Sequence, residues 1–553
     1  MSHQEPRRSV RFRPGQQVDF IVVGSGAAGG VMAKELSTRG HTVLVLEQGP
    51  RMANHEFTHD EFGAFFQNAL NNNPAQQPQT FVNGPNAEPR QAQVAFYHRL
   101  VGGGSVMFTA NYWRFKEIDF VERSRLGAIS GTNFADWPIT YADLEPYYTR
   151  AEWELGVSGA PGPFDPPRSR PYPTPPLPVK SSGVLFERGA RALGLNPQPA
   201  PMAILSRPHN GRPSCMQCGY CAGFGCEHRA KSSTLFTTIP VAEATGRCEV
   251  RPNSYVRRIE TDARGRATGV TYFDGERREQ FQPARAIVVC ANGSETPRLL
   301  LLSASSRFPD GLANSSGFVG RNLMWNGNAS TNGVYERPLN DWKGAMVTRM
   351  LWDFYDADPA RGFYGGGGID ARFWGYPLFY AFGGLPPDAP RWGAGYKRAL
   401  RENYPRQMNI DVHTTSLPLD GNRIELDPTL RDAWGLPAMR VTYRDHPDDV
   451  AMMRFLSGKA MQVHEAAGAR LRWEPQQFEQ QAGFHLLGTA RMGNDPATSV
   501  VDRFHRAHDV RNLFICDGSS FVTSGRGQPT ATIQALAFRA GEHIARFARR
   551  NEI

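Results

Sequence analysis

The sequence predicts an α/β fold in which one domain is assembled from separate parts of the chain. Near the start, a β-branched run, a glycine-rich turn, a helical segment and a second apolar run follow one another within about 30 residues. Near the end, a strand at residues 510–516 leads through another glycine-rich turn into a helix that begins at Pro529. Because the two units have the same style, we expect them to share one domain, with the middle of the chain inserted between them.

The first unit carries a dinucleotide-binding fingerprint. A strand at residues 18–23 ends in Gly24-Ser-Gly26-Ala27-Ala-Gly29, and a second strand at residues 41–47 ends in Glu47. The first two glycines permit a tight turn and close backbone approach to a pyrophosphate, and the third lets the helix pack on the strand. The helix N-terminus offers free N–H groups to the phosphates, and Glu47 is placed to bind ribose hydroxyls. An incidental glycine-rich turn is the alternative interpretation.

The segments that follow are less regular. Residues 51–100 are polar and loop-like, and they lead into Gly102-Gly103-Gly104-Ser105, which suits a backbone that passes close to a phosphate or a ring, or a flexible turn. Residues 158–180 are rich in proline, which predicts an extended connection. Residues 360–395 are rich in glycine and aromatic residues, which either line a pocket or fill loops. Four short strands are predicted at residues 248–251, 256–260, 269–273 and 286–290.

Composition excludes several classes of protein. The chain has 553 residues, of which 40% are hydrophobic and 11% aromatic, as expected of a packed globular protein. No apolar run approaches the roughly 18 residues of a membrane helix, so we do not expect this chain to be an integral membrane protein. The net charge is +9, but the 62 basic residues are interleaved with 53 acidic ones. A nucleic-acid-binding protein concentrates its charge in a stripe or tail, so we expect no nucleic-acid partner.

The N-terminus contains Arg7-Arg8, which invites comparison with a twin-arginine export signal. No separate apolar segment follows, because the next hydrophobic run begins the first strand. We therefore interpret the segment as a short basic leader and expect a cytoplasmic location, unless the chain is exported while bound to a partner that carries a signal.

Four of the seven cysteines are clustered as Cys215-x2-Cys218-x2-Cys221-x4-Cys226. Four thiolates within so short a glycine-bearing loop can wrap an iron–sulfur cluster. Zinc more usually binds two separated pairs of ligands. The third interpretation is structural, with disulfides or free thiols that shape a loop. The sequence leaves all three open.

Further motifs follow the fingerprint and Gly102-Gly-Gly-Ser105 along the chain. They are residues 316–324, residues 422–428, His485-Leu-Leu-Gly-Thr-Ala-Arg-Met-Gly493, residues 499–502, residues 512–520 and Pro529-Thr530. Together these motifs span nearly the whole chain and resemble those of the glucose–methanol–choline (GMC) flavoprotein oxidoreductases, in the order in which that family carries them. The stretch from the clustered cysteines to Thr234 resembles most closely the large subunits of gluconate 2-dehydrogenase-like enzymes.

The resemblance implies FAD in a Rossmann-like lobe and a second α+β lobe, built on an antiparallel sheet, that holds the substrate. We assign residues 16–130, 230–325 and 490–550 to the FAD-binding lobe and residues 326–489 to the substrate-binding lobe. Residues 131–229 form the proline-rich connection and the cysteine-rich loop. The FAD-contacting residues that the resemblance implies are Gly24, Gly26, Ala27, Gly29, Glu47, Gly103, Gly104, Ser105, Val256, Asp517, Gly518, Pro529 and Thr530.

His485 matches the family's catalytic histidine. Such a residue takes the hydroxyl proton while hydride leaves the carbinol carbon for flavin N5, and a histidine suits this because its ordinary pKa lies near neutrality. The family's second catalytic position, a histidine or asparagine before Pro-Thr, is Gln528 here. A glutamine donates and accepts hydrogen bonds but cannot act as a base. His485 is therefore the predicted proton acceptor, and the geometry at Gln528 differs from the family pattern.

Some family members attach FAD covalently through a histidine near the Gly-Gly-Ser loop. Residues 106–114 contain no histidine, and Phe108 stands where many members carry asparagine. We therefore expect noncovalent FAD.

The resemblance implies oxidation of an alcohol group on a sugar, sugar acid or polyol, with electrons passed to an acceptor other than NAD. If an iron–sulfur cluster is present, it would relay electrons to a cytochrome c. The resemblance also implies a small chaperone-like subunit, which would carry the export signal for the chain. Three alternatives stay open: an oxidase that makes hydrogen peroxide, a redox-silent FAD-containing lyase, and a binding or assembly subunit.

Overall fold

The computed structural model describes residues 10–84 and 86–553, so the Arg7-Arg8 pair lies outside the described residues. Within those two ranges, no helix is both long enough and apolar enough to cross a membrane.

The strands of the described residues are β1 (Val18–Val23), β2 (Val43–Leu46), β3 (Gln79–Val82), β4 (Arg90–Gln91), β5 (Gln198–Pro199), β6 (Cys248–Arg251), β7 (Tyr255–Thr261), β8 (Ala267–Phe273), β9 (Glu279–Val289), β10 (Asn328–Val334), β11 (Arg349–Leu351), β12 (Gly367–Arg372), β13 (Gln407–Thr414), β14 (Arg423–Arg431), β15 (Pro437–Thr442), β16 (Leu471–Trp473) and β17 (Leu513–Ile515). The α-helices are α1 (Gly29–Ser37), α2 (Gly104–Met107), α3 (Ile118–Leu126), α4 (Tyr141–Leu155), α5 (Ser181–Ala192), α6 (Thr238–Ala244), α7 (Asn292–Leu302), α8 (Pro377–Gly383), α9 (Gly393–Asn403), α10 (Pro447–Ala466) and α11 (Thr530–Arg549).

The first sheet joins the beginning, the middle and the end of the chain. Its order is β6-β2-β1-β9-β8-β7, and β17 pairs with β9. The strand β9 has two roles, because its first half pairs antiparallel with β8 and its second half pairs parallel with β1 and β17. The buried strand VDFIVV of β1 forms the centre of this sheet, and α1 packs on α11 beside it. The discontinuous α/β arrangement predicted from the sequence is therefore confirmed.

The second sheet is antiparallel and has the order β16-β10-β13-β12-β11-β5. Apolar side chains on one face, among them Ile369, Met408, Ile410 and Val412, pack into a core with α5 and α10. Because side chains alternate across a strand, the neighbouring residues of β10, β12 and β13 lie on the opposite face. The predicted second lobe on an antiparallel sheet is confirmed, and its residue boundaries stay a prediction.

A third sheet corrects the description of residues 51–100 as loop-like. It has the order β14-β15-β3-β4, and β3 pairs parallel with β15 from a distant part of the chain. The strand β3 has only four residues, two of them polar, although all four are buried. A strand this short gives no periodic signal in the sequence, because its burial comes from partners far along the chain.

Candidate active site

A cavity of about 910 Å³ lies between the first and second sheets. The predicted catalytic and FAD-contacting residues all line it except Gly29. The C-terminal ends of β1, β2, β9 and β17 reach its wall through Val23, Glu47, Cys290 and Asp517. Ligands of parallel sheets bind at this edge, so the cavity lies where the fingerprint predicts a dinucleotide.

Two glycine loops meet at one end of the cavity. Gly24 has φ +90°, and a Cβ there would lie 2.5 Å from the carbonyl oxygen of Cys290. A Cβ on Gly103 would lie 2.9 Å from the Cα of Gly26. Gly29 lies outside the wall because it packs α1 against the turn, as the fingerprint predicts. The two backbones therefore approach closely enough to form a cradle of N–H groups at the N-terminus of α1, which fits a pyrophosphate.

Glu47 is held rigidly at the end of β2. One carboxylate oxygen accepts hydrogen bonds from the Ser25 backbone N–H at 3.0 Å and the Ser25 hydroxyl at 2.7 Å, and the other accepts from the Gly49 N–H at 3.0 Å. Burial raises the pKa of the Glu47 carboxyl. A carboxylate has about four acceptor positions, so Glu47 retains capacity for a ribose hydroxyl.

Asp517 ties together two segments of the cavity wall. One of its carboxylate oxygens accepts from the Asn292 N–H at 3.0 Å and the Thr296 hydroxyl at 2.6 Å, and the other accepts from the Ser519 N–H at 2.8 Å. These bonds link the start of α7 to the turn after β17. Together with the glycine cradle and Glu47, the residues present fit FAD.

His485 reaches the cavity from the loop between β16 and β17. Its Nδ1 lies 3.1 Å from the side-chain oxygen of Asn326. The Asn326 amide nitrogen faces three backbone carbonyls, those of Thr414, Ser524 and Gly525, at 3.0–3.3 Å. This network assigns the amide oxygen to the histidine, so Nδ1 carries the proton and Nε2 has the free lone pair.

The electrostatic surroundings keep His485 neutral. Burial, reinforced by the nearby His413 and Arg372, lowers its pKa to about 3. The neutral imidazole with a free Nε2 is the form that accepts a proton. The structure thus places a neutral imidazole in the cavity wall, and its role as the base stays a prediction.

Gln528 lines the cavity and contacts a histidine that the sequence analysis missed. Its Nε2 lies 3.3 Å from Nδ1 of His413 on β13. Gly527 has φ +122°, and a Cβ there would lie 3.0 Å from the Cβ of His413, so glycine allows this approach. His413 in turn contacts Asp370, and both histidines, His413 and His485, therefore belong to one site.

The cavity-facing side of the second sheet is polar. Along each strand, the residues that face the cavity alternate with residues that face away from it, and in β13 both faces are buried. They are Asn328, Ser330 and Asn332 on β10, Arg372 on β12, and Gln407, Asn409, Asp411 and His413 on β13. This alternation of polar residues is visible in the sequence, but an exposed strand face has the same pattern, so the sequence alone does not identify these residues as part of the site.

Many of these polar groups bind one another. Asn409 donates to the Asn332 side-chain oxygen at 2.6 Å, and Trp374 donates to Asp411 at 3.0 Å. The Ser330 hydroxyl and one oxygen of Asp411, which are opposed across β10 and β13, are buried with no partner. Such groups are costly to bury, so a wall of this kind fits a ligand rich in hydroxyl groups.

A third histidine, His98, lines the cavity and, like His413, was not predicted from the sequence. It follows Tyr97 on the polar stretch before the Gly-Gly-Ser loop, and a Cβ on Gly104 would lie 4.0 Å from its ring. Burial, together with the charge of Lys231, lowers its pKa to about 4. Phe108 lies in the same wall.

The cysteine-rich loop lies beside the cavity. Cys215, Cys218, Cys221 and Cys226 surround a separate cavity of about 20 Å³, and all four are free thiols. Burial raises the pKa of Cys221 to about 12 and that of Cys215 to about 11.

The same loop is anchored by Lys231, whose ammonium donates to the carbonyl oxygens of Cys221 and Phe224 at 2.5 and 2.7 Å. Residues 222 and 223 of the loop line the large cavity. Across residues 10–84 and 86–553, no group of three or more His, Cys, Asp or Glu side chains is arranged to hold a metal ion. The structure therefore gives the predicted iron–sulfur site no support.

Comparisons with known proteins agree with this geometry. Two models of the GMC oxidoreductase family match residues 18–326 and 418–537. The chain is 35% identical to 2-methyl-1,2-propanediol dehydrogenase of Mycolicibacterium austroafricanum, over 96% of this chain and 95% of that one. It is 28% identical to the gluconate 2-dehydrogenase flavoprotein of Pantoea cypripedii, over 96% and 94%.

Among solved structures, pyridoxine 4-oxidase from "Mesorbium loti" superimposes with a TM-score of 0.65 at 18% identity, covering 97% of this chain and 99% of that one. This likeness concerns the fold. The two family models together cover more than half of the chain, in agreement with the motifs. The chain belongs to the GMC oxidoreductase family and is an FAD-dependent enzyme that acts on CH–OH groups.

Proposed function

We propose that the enzyme oxidises an alcohol group of a sugar, a sugar acid or a polyol and passes the electrons to an acceptor other than NAD. The observation that carries this proposal is His485, whose Nδ1 faces the Asn326 side-chain oxygen and whose Nε2 is left free, in a cavity that faces the polar side of the second sheet. The alcohol loses a proton and a hydride and becomes a carbonyl compound.

In this proposal His485 takes the hydroxyl proton at Nε2 and later releases it to solvent. Asn326 holds the ring in the required tautomer. The low pKa of His485 keeps it neutral before the reaction, and the proton is accepted as the alcohol becomes an alkoxide.

When bound, FAD would supply the hydride acceptor, flavin N5. The residues that would hold it are those of the glycine cradle, Glu47, Val256, Asp517, Gly518, Pro529 and Thr530, which border one cavity. We propose noncovalent binding, because residues 106–114 contain no histidine. His98 also lines the cavity, so a covalent bond between His98 and the flavin would contradict noncovalent binding.

A substrate with several hydroxyl groups suits the polar sheet face. Hydroxyl groups both donate and accept, and Asn409, Asp411 and Ser330 offer both kinds of partner. The relatives named for 2-methyl-1,2-propanediol and gluconate support the same class of substrate.

The route of the electrons beyond the flavin is a further part of the proposal. Both relatives are named dehydrogenases or parts of one, which favours an acceptor other than oxygen. If the four cysteines hold an iron–sulfur cluster, a cytochrome c follows as the acceptor. A small chaperone-like subunit is a separate proposed partner. The loop's position beside the large cavity suits such a relay, whereas the burial that raises the pKa of Cys215 and Cys221 suits a structural role.

Iron and sulfide analysis of protein purified without air decides the role of the cysteines. A cluster requires both elements in the wild type and their loss in Cys218→Ser. If the wild type contains no iron, sulfide or zinc, the cysteines are structural. Zinc without sulfide would indicate that the cysteines form a zinc site.

The proposed chemistry is tested with flavin-loaded protein under anaerobic conditions. Glycerol, 1,2-propanediol, D-fructose and gluconate are added in turn, and flavin absorbance is followed. We expect at least one to bleach the flavin, and His485→Gln to slow this about 10²–10⁴-fold because the general base is lost. His55→Gln is the matched control, since His55 is exposed and lies outside the cavity.

Bleaching at an equal rate in His485→Gln would contradict the assigned base. A flavin that no alcohol reduces would indicate a lyase or a binding subunit. Hydrogen peroxide produced at the rate of turnover when air is admitted would identify an oxidase.

A further inference from the structure

The cavity is lined by more acidic than basic side chains. Glu47, Glu295, Asp411 and Asp517 line it, whereas Arg372 is the only lysine or arginine to do so within residues 10–84 and 86–553. A substrate carboxylate that leaves water for this cavity needs a positive partner. Whether Arg372 is free to provide one therefore decides which charge the substrate can carry.

Arg372 is already bound within the wall. Its Nε donates to one carboxylate oxygen of Asp370 at 2.6 Å, and its Nη2 donates to the other oxygen. Burial raises the pKa of Asp370, but the charge of Arg372 and the contact with His413 lower it more strongly, to about 2. Arg372 is 2% exposed and Asp370 is fully buried, so solvent does not compete for this bidentate pair. The guanidinium of Arg372 and the carboxylate of Asp370 therefore neutralise each other.

A second carboxylate lies beside this pair. Asp411 on β13 is directly opposite Asp370 on β12 and Ser330 on β10, so the three side chains lie on the same face of the sheet. Nη1 of Arg372 lies 3.4 Å from Oδ2 of Asp411, and the Trp374 indole donates to the same oxygen at 3.0 Å. Like charges directly opposite each other in a sheet are destabilising. Two carboxylates on this face thus share a single guanidinium.

The other oxygen of Asp411 has no hydrogen-bond partner in the part of the chain that the structure describes, and neither has the Ser330 hydroxyl opposite it. Asp411 is 6% exposed, and both residues line the cavity. A buried carboxylate oxygen without a partner is costly. A ligand that brings donors or a positive charge to this part of the wall offsets that cost, whereas a ligand carboxylate adds a like charge.

The histidines of the cavity do not reverse this balance. Burial lowers the pKa of His485 to about 3, so its ring is neutral. His413 contacts both Arg372 and Asp370. If His413 is counted as neutral, the two carboxylates and the guanidinium carry one net negative charge; if it is counted as protonated, the group is neutral. In neither form is a positive charge left over for a substrate carboxylate.

We propose that this wall selects a sugar or polyol without a carboxylate group and rejects a sugar acid, with Asp411 as the specificity-determining residue. A protein can exclude one of two similar ligands by placing a like charge against it. The selection rests on the proposed function and narrows its three substrate classes to two.

Three linear six-carbon compounds that differ at one end test this selection. D-glucitol is uncharged, D-glucamine is a cation and D-gluconate is an anion. Their dissociation constants are measured by titration calorimetry with the flavin-loaded His485→Gln protein, in which oxidation is expected to be slow and the charge of the wall is unchanged because His485 is neutral. We expect gluconate to bind at least about 10-fold more weakly than glucitol, because juxtaposed like charges are costly, and glucamine to bind at least as tightly as glucitol.

Glucamine separates the effect of charge from the loss of an end hydroxyl group. If glucamine and gluconate both bind weakly, the end hydroxyl group is recognised instead of the charge, and the proposal is wrong. Gluconate that binds as tightly as glucitol, or a protein that binds none of the three, would also overturn it. These results do not depend on flavin reduction, so the bleaching assay judges the proposed oxidation separately.

Asp411→Asn tests the assigned residue in the same His485→Gln background. Asparagine keeps an acceptor for Trp374 but removes the charge. We expect the ratio of the gluconate to the glucitol dissociation constant to fall about 10-fold. Asp420→Asn is the matched control, since it makes the same charge change at an exposed residue outside the cavity, and it should keep the original ratio.

A folded Asp411→Asn protein with the original ratio would overturn the assignment of Asp411. Asp370→Asn provides a second test that does not depend on the folding of the first variant. It removes the partner of Arg372, so gluconate should again gain relative to glucitol. A folded Asp370→Asn protein that still rejects gluconate as strongly would contradict the proposed role of charge in the wall.

Discussion

The tautomer of His485 depends on one hydrogen bond, so Asn326→Leu tests the mechanism sharply. Leucine has nearly the shape of asparagine but cannot accept the Nδ1 proton. A neutral hydrogen bond contributes about 0.5–1.5 kcal/mol to stability. About 1.4 kcal/mol corresponds to a factor of ten in an equilibrium constant. Loss of this bond therefore raises the ratio of the wrong tautomer, with its proton on Nε2, to the competent one by about 2- to 13-fold.

The rate follows the fraction of the competent tautomer, so we expect flavin reduction in Asn326→Leu to slow by at most about 13-fold, with little change in the alcohol concentration that gives half the maximal rate. The assay is stopped-flow absorbance of the flavin under anaerobic conditions. The reason is that only the population with Nε2 unprotonated accepts the substrate proton.

The substitution also removes the amide N–H donor from three backbone carbonyls, so a stability control is required. Asn512 is the matched residue, since it is fully buried, bonds the carbonyls of Ala267 and Arg285, and does not line the cavity. Asn512→Leu should lower the melting temperature without slowing flavin reduction. A folded, flavin-loaded Asn326→Leu protein that reduces its flavin at the wild-type rate would refute the assigned tautomer.

Two other properties follow from the structure. Burial lowers the pKa of His464, His485 and His505 to about 3, against an ordinary value near 6.5, so the unfolded chain binds more protons between these pH values. Stability should fall as pH drops below about 6.5, and a melting temperature that is constant from pH 7 to pH 4 would contradict this. Because FAD is proposed to bind noncovalently, acid denaturation should release it, and mass spectrometry should then find the chain at its unmodified mass. If the mass includes the flavin, the covalent bond should be lost in His98→Ala.

The sequence was sufficient for the elements whose signals are local. The run VDFIVV, the glycine turn and Glu47 predicted a strand, a cradle and a ribose-binding acid, and the structure brings all three to one cavity. The similar style of the two end units predicted that they share one domain. The structure agrees, since β1 and β17 both pair with β9. The strand β3 was missed because its burial depends on β15, which lies more than 300 residues away.

The second half of the site depends on contacts that no local pattern encodes. The alternation of Gln407, Asn409, Asp411 and His413 is visible in the sequence, but an exposed strand face looks the same. Only the pairing of β10, β12 and β13 turns that face toward His485. Gln528 departs from the family pattern, and only the structure shows its contact with His413.

The central claim is that hydride leaves an alcohol carbon of the substrate while His485 takes the hydroxyl proton. The most direct measurement is the rate of anaerobic flavin reduction by the best panel alcohol and by the same compound with deuterium on the carbinol carbon. We expect the deuterated alcohol to react more slowly in the wild type, and His485→Gln to be slow with both. Equal rates for the two compounds, with the reduction step itself observed, or a flavin that no alcohol reduces, would contradict the proposed reaction.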